Sequence, residues 1–252
     1  MKTFVNILTL NFLVFCLGFV LSCNTDDSDP IVLDNNISNT DDSPDDNSNN
    51  NPNSVNLKIL SLGDSYTIGQ SVCETCRFPE QLKDSLATNI ENSSFELQLI
   101  AQTGWTTTNL INAIETENPS TDFDLVTLLI GVNNQYQGKP FSLYEQEFPE
   151  LVNTAIDKAN GDIDNVIVVS IPDYAFTPFG GGNASISQEI DQYNEYAKNY
   201  CEVNNISYVY ITDITRYGLV NPELVASDNL HPSELAYSKF VERIIPVALE
   251  KI

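Results

Sequence analysis

Two segments of this chain pair residue types that could carry out acyl transfer together. The first is Leu60-Ser61-Leu62-Gly63-Asp64-Ser65-Tyr66, where an apolar run gives way to a glycine and then to a hydroxyl at the start of a helical stretch. Ser65 on such a junction can present both its hydroxyl and its backbone N–H, although a serine there can equally be only a helix N-cap. The second is Asp228-Asn229-Leu230-His231-Pro232, which holds the single histidine of the chain. If this segment turns at the start of the last helix, Asp228 can accept the Nδ1 proton of His231 and leave Nε2 to take the proton of a serine hydroxyl. Neither segment is specific alone; together they form a candidate triad. One histidine also excludes zinc sites built on two or more imidazoles, including the H-E-x-x-H hydrolases. A site of Cys73, Cys76, Cys201 and His231 is conceivable, but it would deprive Asp228 of its partner.

The elements that must position these residues follow from hydrophobic periodicity. Short apolar runs at Leu57 to Leu60, Phe95 to Ile100, Leu125 to Ile130, Val166 to Ser170 and Tyr208 to Ile211 predict five strands of a sheet covered on both faces. Helical stretches lie near Pro79 to Thr88, Thr107 to Ile114, Leu143 to Ala159, Ile186 to Val203 and Pro232 to Ala248, the last containing Pro246. Strands that alternate with helices predict an α/β fold, a three-layer α/β/α sandwich around a mostly parallel five-stranded sheet. Ligands of such sheets sit outside the carboxyl ends of the strands. Gly63-Asp64-Ser65 follows the first strand, Gly104-Trp105 the second and Gly131-Val132-Asn133-Asn134 the third, while Asp228 and His231 lie beyond the fifth. The run Phe179-Gly180-Gly181-Gly182 lacks the spacing of a phosphate-binding turn and reads as a surface loop.

Gly63-Asp64-Ser65, Gly104, Gly131-Val132-Asn133 and Asp228-Leu230-His231 resemble, in order and spacing, the four signature blocks of the GDSL-type SGNH hydrolases, over residues 56–250. The resemblance implies a flavodoxin-like SGNH fold and a serine esterase that needs no metal or organic cofactor. It implies Ser65 as nucleophile, His231 as general base and Asp228 as the residue that orients it. It further implies an oxyanion hole of the Ser65 N–H, the Gly104 N–H and the Asn133 side-chain amide. One position departs from the pattern: the third block commonly reads G-x-N-D, and Asn134 stands where the aspartate would be. Because Asn133 is intact, catalysis is expected to survive, with only the packing or hydrogen bonding of that loop altered. Asp64 is expected to be structural. No G-x-S-x-G elbow is present, which sets the chain apart from the ordinary α/β-hydrolases.

The family spans lipases, lysophospholipases, thioesterases and sugar O-acetyl esterases, so the resemblance leaves the substrate open. Trp105, Tyr174 and Phe176, with Phe179, are candidate substrate contacts, or else packing residues that anchor their loops. The reading adopted is hydrolysis of short-chain or O-acetyl esters of extracellular carbohydrates, a small-molecule or glycan ester substrate. The alternatives are a lipase or lysophospholipase on longer acyl esters and a non-catalytic surface binding lipoprotein. Every role in an acyl-transfer site is filled, which favours an enzyme over a binder.

The remaining signals concern location and partners. Residues 1–22 read as a secretion signal, and Val20-Leu21-Ser22-Cys23 resembles a bacterial lipobox, with Cys23 as the lipidated residue. Residues 23–54 then form a tether. From Asn24 to Ser54 there are eight Asp, nine Asn, five Ser and three Pro with no Lys or Arg, too little apolar surface to repay ordering. Asp26 and Asp27 resemble the surface-export signal of some Gram-negative lipoproteins. The expectation is a monomeric domain at 55–252, exported to the outer membrane or cell surface of a Gram-negative bacterium and touching the membrane only through its anchor. A formal net charge of -24 repels phosphate backbones and excludes nucleic-acid binding. Export permits disulfides, so Cys73 and Cys76 could form a local bridge. A thioredoxin-like pair would occupy the slot after the first strand, which Ser65 takes.

Overall fold

The computed structural model describes residues 54–252; the leader, Cys23 and all of the tether but Ser54 lie outside the described residues. Five strands, β1 (Val55–Gly63), β2 (Ser93–Ala101), β3 (Leu125–Leu129), β4 (Val166–Val169) and β5 (Ser207–Val209), form one parallel sheet in the order β2-β1-β3-β4-β5. Every residue of β3 and β4 is buried, which is why these segments are apolar but for Thr127, whose hydroxyl donates to Ser61 Oγ at 2.9 Å. The edge strand β2 instead alternates half-buried and exposed positions at its start, matching Ser93-Ser94-Phe95-Glu96.

Five long helices cover the sheet: α2 (Phe78–Asn89), α3 (Thr107–Glu117), α5 (Phe141–Lys158), α6 (Ala184–Val203) and α8 (Glu234–Leu249). Helix α2 packs against α8, and α5 packs against both α3 and α6, giving one helical layer on each face and the three-layer sandwich expected. Three short helices, α1 (Ser65–Ile68), α4 (Val132–Tyr136) and α7 (Thr212–Thr215), follow the carboxyl ends of β1, β3 and β5.

The fifth strand is shorter than the apolar run Tyr208 to Ile211 suggests. It ends at Val209 because the Ser170 hydroxyl accepts the N–H groups of Ile211 and Thr212, at 2.8 and 3.2 Å, and turns the chain into α7. The last helix begins at Glu234, two residues later than read, with Ser233 as its N-cap. Pro246 is accommodated inside it.

Strand order reverses at β1: the chain leaves it outward to β2, then crosses back to β3 on the other side. Such a switch point opens a crevice at the strand ends. Gly63 ends β1 opposite Leu129 of β3 and Ala101 of β2, so the segments that carry Ser65, Gly104 and Asn133 all leave the sheet at that crevice.

Candidate active site

Helix α1 is only four residues long and is held by Asp64, whose Oδ1 accepts the Tyr66 N–H at 3.0 Å. Asp64 is thus the N-cap, and Ser65 is the first helical residue. That frees Ser65 from the capping role its position allows and leaves its backbone N–H without an intrahelical acceptor. The junction depends on glycine at 63: a Cβ there would lie 2.1 Å from Thr67 Oγ1 and 2.5 Å from the Leu129 carbonyl oxygen. Gly104 is required for a different reason, since open space surrounds it but its φ of +85° is one that side-chain-bearing residues rarely adopt.

His231 is presented by a tight return of the chain. The Ala226 N–H donates to the His231 carbonyl at 2.7 Å, Val225 and Pro232 form an antiparallel bridge, and Asn229 turns the corner with φ of +64°. Within this turn Asp228 Oδ1 accepts the N–H groups of Leu230 and His231, each at 3.0 Å. Its Oδ2 lies 2.6 Å from His231 Nδ1. Partial burial disfavours the charged Asp228, but hydrogen bonds from the Ser71 hydroxyl, the His231 ring and the two backbone N–H groups outweigh it and hold the carboxyl well below the usual carboxylate range. A carboxylate accepts only, so His231 Nδ1 carries the proton and donates it, leaving Nε2 as the basic nitrogen.

Ser65, Gly104, Asn133 and His231 line one cavity of about 200 Å³ at the switch point, together with Tyr66, Thr103, Val132, Tyr136, Tyr174, Phe179 and Leu230. Ser65 and His231 are 3% and 8% exposed, and the His231 ring lies against that of Tyr66, centroids 5.3 Å apart. Asn133 is the second residue of α4, and its Nδ2 donates to Asp64 Oδ2 at 3.3 Å, which leaves its other amide hydrogen for the cavity.

Asp64 is structural, as its place in the sequence suggests, yet it also grips Asn133. Complete burial pushes its carboxyl up to about 7, against the hydrogen bonds from Tyr66 and Asn133 that favour the charged form. A folded-state value above the unfolded one means that the fold binds the extra proton between pH 4 and 7, so stability falls as pH rises through that window. Asp64→Asn is expected to remove this decline. The variant also turns an amide N–H₂ toward Asn133 Nδ2 when its oxygen keeps the Tyr66 N–H, so it should lose turnover, while its stability stays level across the pH window in which wild type declines. Urea unfolding across pH, with kcat measured alongside, checks both halves.

Of the candidate substrate contacts, Tyr174 and Phe179 line the cavity; Trp105 and Phe176 do not. Trp105 is half-buried against the hydrophobic core, and Phe176 lines a separate hollow with Gly182, Asn183 and Ser187. Both lie within two residues of a cavity-lining position, too close for sequence to decide which way each points. Tyr136, which sequence reasoning missed, forms an aromatic wall with Tyr174 and Phe179, the three centroids 6.0 to 6.3 Å apart. Tyr174 Oη donates to Gln135 Oε1 at 2.7 Å, and the Phe179 N–H donates to the Asn229 carbonyl at 3.0 Å, so the wall is fastened to α4 and to the histidine turn.

Cys73 and Cys76 are bridged, and Cys201 is a free thiol buried in α6, where desolvation pushes it up to about 12. The thiols are therefore not gathered around His231. Just before the bridge lies Ser71, whose hydroxyl donates to Asp228 Oδ2 at 2.7 Å. Nothing in the local sequence marks Ser71, which lies 157 residues from its partner.

Residues 61–239 match the sequence profile of the GDSL-like Lipase/Acylhydrolase family. No curated protein sequence matches the chain. Among solved structures it is similar to a lipolytic G-D-S-L family protein from Veillonella parvula, with 22% identity, a TM-score of 0.57, and coverage of 77% of this chain and 97% of that one. It is also similar to a lipase/acylhydrolase from Enterococcus faecalis, with 19% identity, a TM-score of 0.55, and coverage of 75% and 94%. A variant of an acetyl xylan esterase from Geobacillus stearothermophilus gives 16% identity, a TM-score of 0.57, and coverage of 78% and 96%. The chain belongs to the GDSL-like lipase/acylhydrolase family and is an ester hydrolase.

Proposed function

We propose that this protein is an exported serine esterase that cleaves short-chain or O-acetyl esters of extracellular carbohydrates. The observation that carries the reading is the meeting of Ser65, Gly104, Asn133 and His231 around one cavity, with His231 Nδ1 engaged by Asp228 at 2.6 Å. Ser65 Oγ attacks the ester carbonyl as His231 Nε2 takes its proton. The oxyanion that forms is held by the N–H groups of Ser65 and Gly104 and by the free amide hydrogen of Asn133. Collapse of this intermediate expels the alcohol, protonated by His231, and leaves an acyl-Ser65 that water cleaves with His231 again as base. Asn133→Ala is expected to lower kcat on the order of 10²-fold or more, with a smaller change in KM, measured on a cleaved p-nitrophenyl ester.

For the substrate, support comes from the cavity wall. Tyr136 and Phe179 are 57% and 53% exposed, so their rings offer aromatic surface at the mouth of the site, as suits a sugar ring. The acidic surface suits a neutral glycan better than a polyanion. Anchoring through Cys23 at the outer membrane or cell surface, argued from the sequence alone, would bring the domain to such material. Longer acyl esters are the second reading, favoured by the exposed Tyr217, Leu219 and Val220, of which Leu219 lies beside Gly182 in the loop that carries Phe179.

The test is hydrolysis of p-nitrophenyl esters from acetyl to octanoyl, alongside acetate release from acetylated xylan, for the protein and its Ser65→Ala variant. Activity centred on acetyl groups and lost in the variant is the expected result. Preference for octanoyl would move the protein to the lipases. Equal rates for the two proteins would end the catalytic assignment.

A further inference from the structure

Helix α4 does more than carry Asn133. Its next residue, Asn134, clasps Thr107 at the start of α3: Asn134 Oδ1 accepts the Thr107 N–H at 3.0 Å, and Asn134 Nδ2 donates to Thr107 Oγ1 at 2.7 Å. Thr107 Oγ1 donates in turn to Glu147 Oε2 on α5. Thr108 Oγ1 approaches the same carboxylate, 2.7 Å from Oε1 and 2.9 Å from Oε2. Asn134 and Thr107 are wholly buried and Glu147 nearly so, so no solvent replaces a missing partner.

A hydroxyl has one proton. Thr107 gives its proton to the Glu147 carboxylate, so Thr107 Oγ1 must receive one from residue 134. The chain of bonds therefore has a direction, amide to hydroxyl to carboxylate, and it requires a donor at 134 as long as an acceptor sits at 147. An aspartate at 134, the residue common at this place in the family pattern, would set two carboxylates competing for one proton.

What this chain of bonds holds is the approach to Gly104, three residues before Thr107. The Gly104 carbonyl is itself taken by Gln137 Nε2, from the residue after α4, at 2.8 Å. The segment that carries the Gly104 N–H is thus tied at two points, to the helix that carries Asn133 and to the residue that caps it.

We propose that Asn134 is a positioning residue that, through Thr107 and Glu147, keeps the Gly104 N–H and the Asn133 amide aimed at the same oxyanion, and that Asn134 and Glu147 are a matched, exchangeable pair. The proposal rests on the oxyanion roles assigned under Proposed function. It is tested by a double-mutant cycle of N134D, E147Q and N134D/E147Q in the whole protein, on the p-nitrophenyl ester it cleaves best. N134D is expected to lose roughly tenfold to a hundredfold in kcat with little change in KM, since misplacing a donor affects the transition state more than binding. E147Q alone should be milder, because the new amide oxygen still accepts the Thr107 proton. In the double variant the direction reverses: the new amide donates to Thr107 Oγ1, which donates to the new carboxylate, and kcat should return to within a few-fold of wild type. If N134D cannot be purified, the double variant still decides, since it regains fold and turnover only by reversing the chain.

Thermal unfolding midpoints of the same four proteins report on the chain of bonds without reference to turnover. Rescue in both kcat and midpoint supports the proposal. Losses that multiply in the double variant, or a rescue confined to the midpoint, overturn it. Failure of the catalytic reading would appear separately, as a Ser65→Ala variant that turns over like wild type.

Discussion

Ser65→Ala is expected to lower kcat for ester hydrolysis on the order of 10⁴-fold or more while leaving the urea unfolding midpoint close to that of wild type. The two halves follow from one feature of α1. Asp64, and not Ser65, supplies the side chain that satisfies the first turn of the helix, so removing the Ser65 hydroxyl leaves the cap intact. A serine whose hydroxyl capped the helix would behave in the opposite way, losing about 1 kcal/mol of stability on truncation with no loss of turnover. Turnover kinetics with a parallel urea titration therefore separate a nucleophile from a cap in a single variant.

Asp228→Asn is the second large effect, expected on the order of 10⁴-fold in kcat. The substitution keeps the shape of the side chain but places an amide where two donors now meet a carboxylate oxygen, the His231 ring and the Ser71 hydroxyl. An N–H₂ facing Nδ1 favours the ring tautomer with its proton on Nε2, and such a ring cannot take a proton from Ser65. Stability carries a second signature. Because the folded carboxyl lies below its unfolded value, its contribution is present at neutral pH, above the unfolded value, and is lost as pH falls toward the folded one. The stability difference between variant and wild type should therefore be largest near neutrality and shrink in acid. A difference that did not change with pH would mean that Asp228 acts there only as a turn residue.

Asp64 and Asp228 illustrate how one site shifts two aspartates in opposite directions. Asp64 is sealed among α1, α4 and the core, and desolvation dominates. Asp228 keeps some contact with solvent and gathers donors from a hydroxyl, a ring and two backbone groups. The first holds the side-chain amide of Asn133, and the second holds the ring of His231.

Much of this was legible in the residues themselves. Short, mostly apolar runs identify the central strands buried on both faces, and the strand-to-helix junction at Ser65 with a D-x-x-H before the last helix specifies local geometry, because each depends on contacts within a few residues. The Asp228 turn is of this kind, since Leu230 and His231 bond an aspartate two and three positions earlier. The ends of elements were less legible: β5 stops at Val209 because of Ser170, a residue on another strand's exit. The bonds that complete the site lie further still from the reach of sequence. Asn133 reaches Asp64 across 69 residues and Ser71 reaches Asp228 across 157, while Thr107 joins Asn134 to Glu147. Whether Trp105, Phe176 or Tyr136 faces the cavity is likewise a matter of which way one loop or short helix turns. Side-chain type and spacing determine what a segment can do locally. Which buried donor meets which acceptor is decided only when the sheet order brings β1 beside β3 and sets the loops at their carboxyl ends against one another, because a hydrogen bond in a dry interior depends on distances that no local pattern encodes.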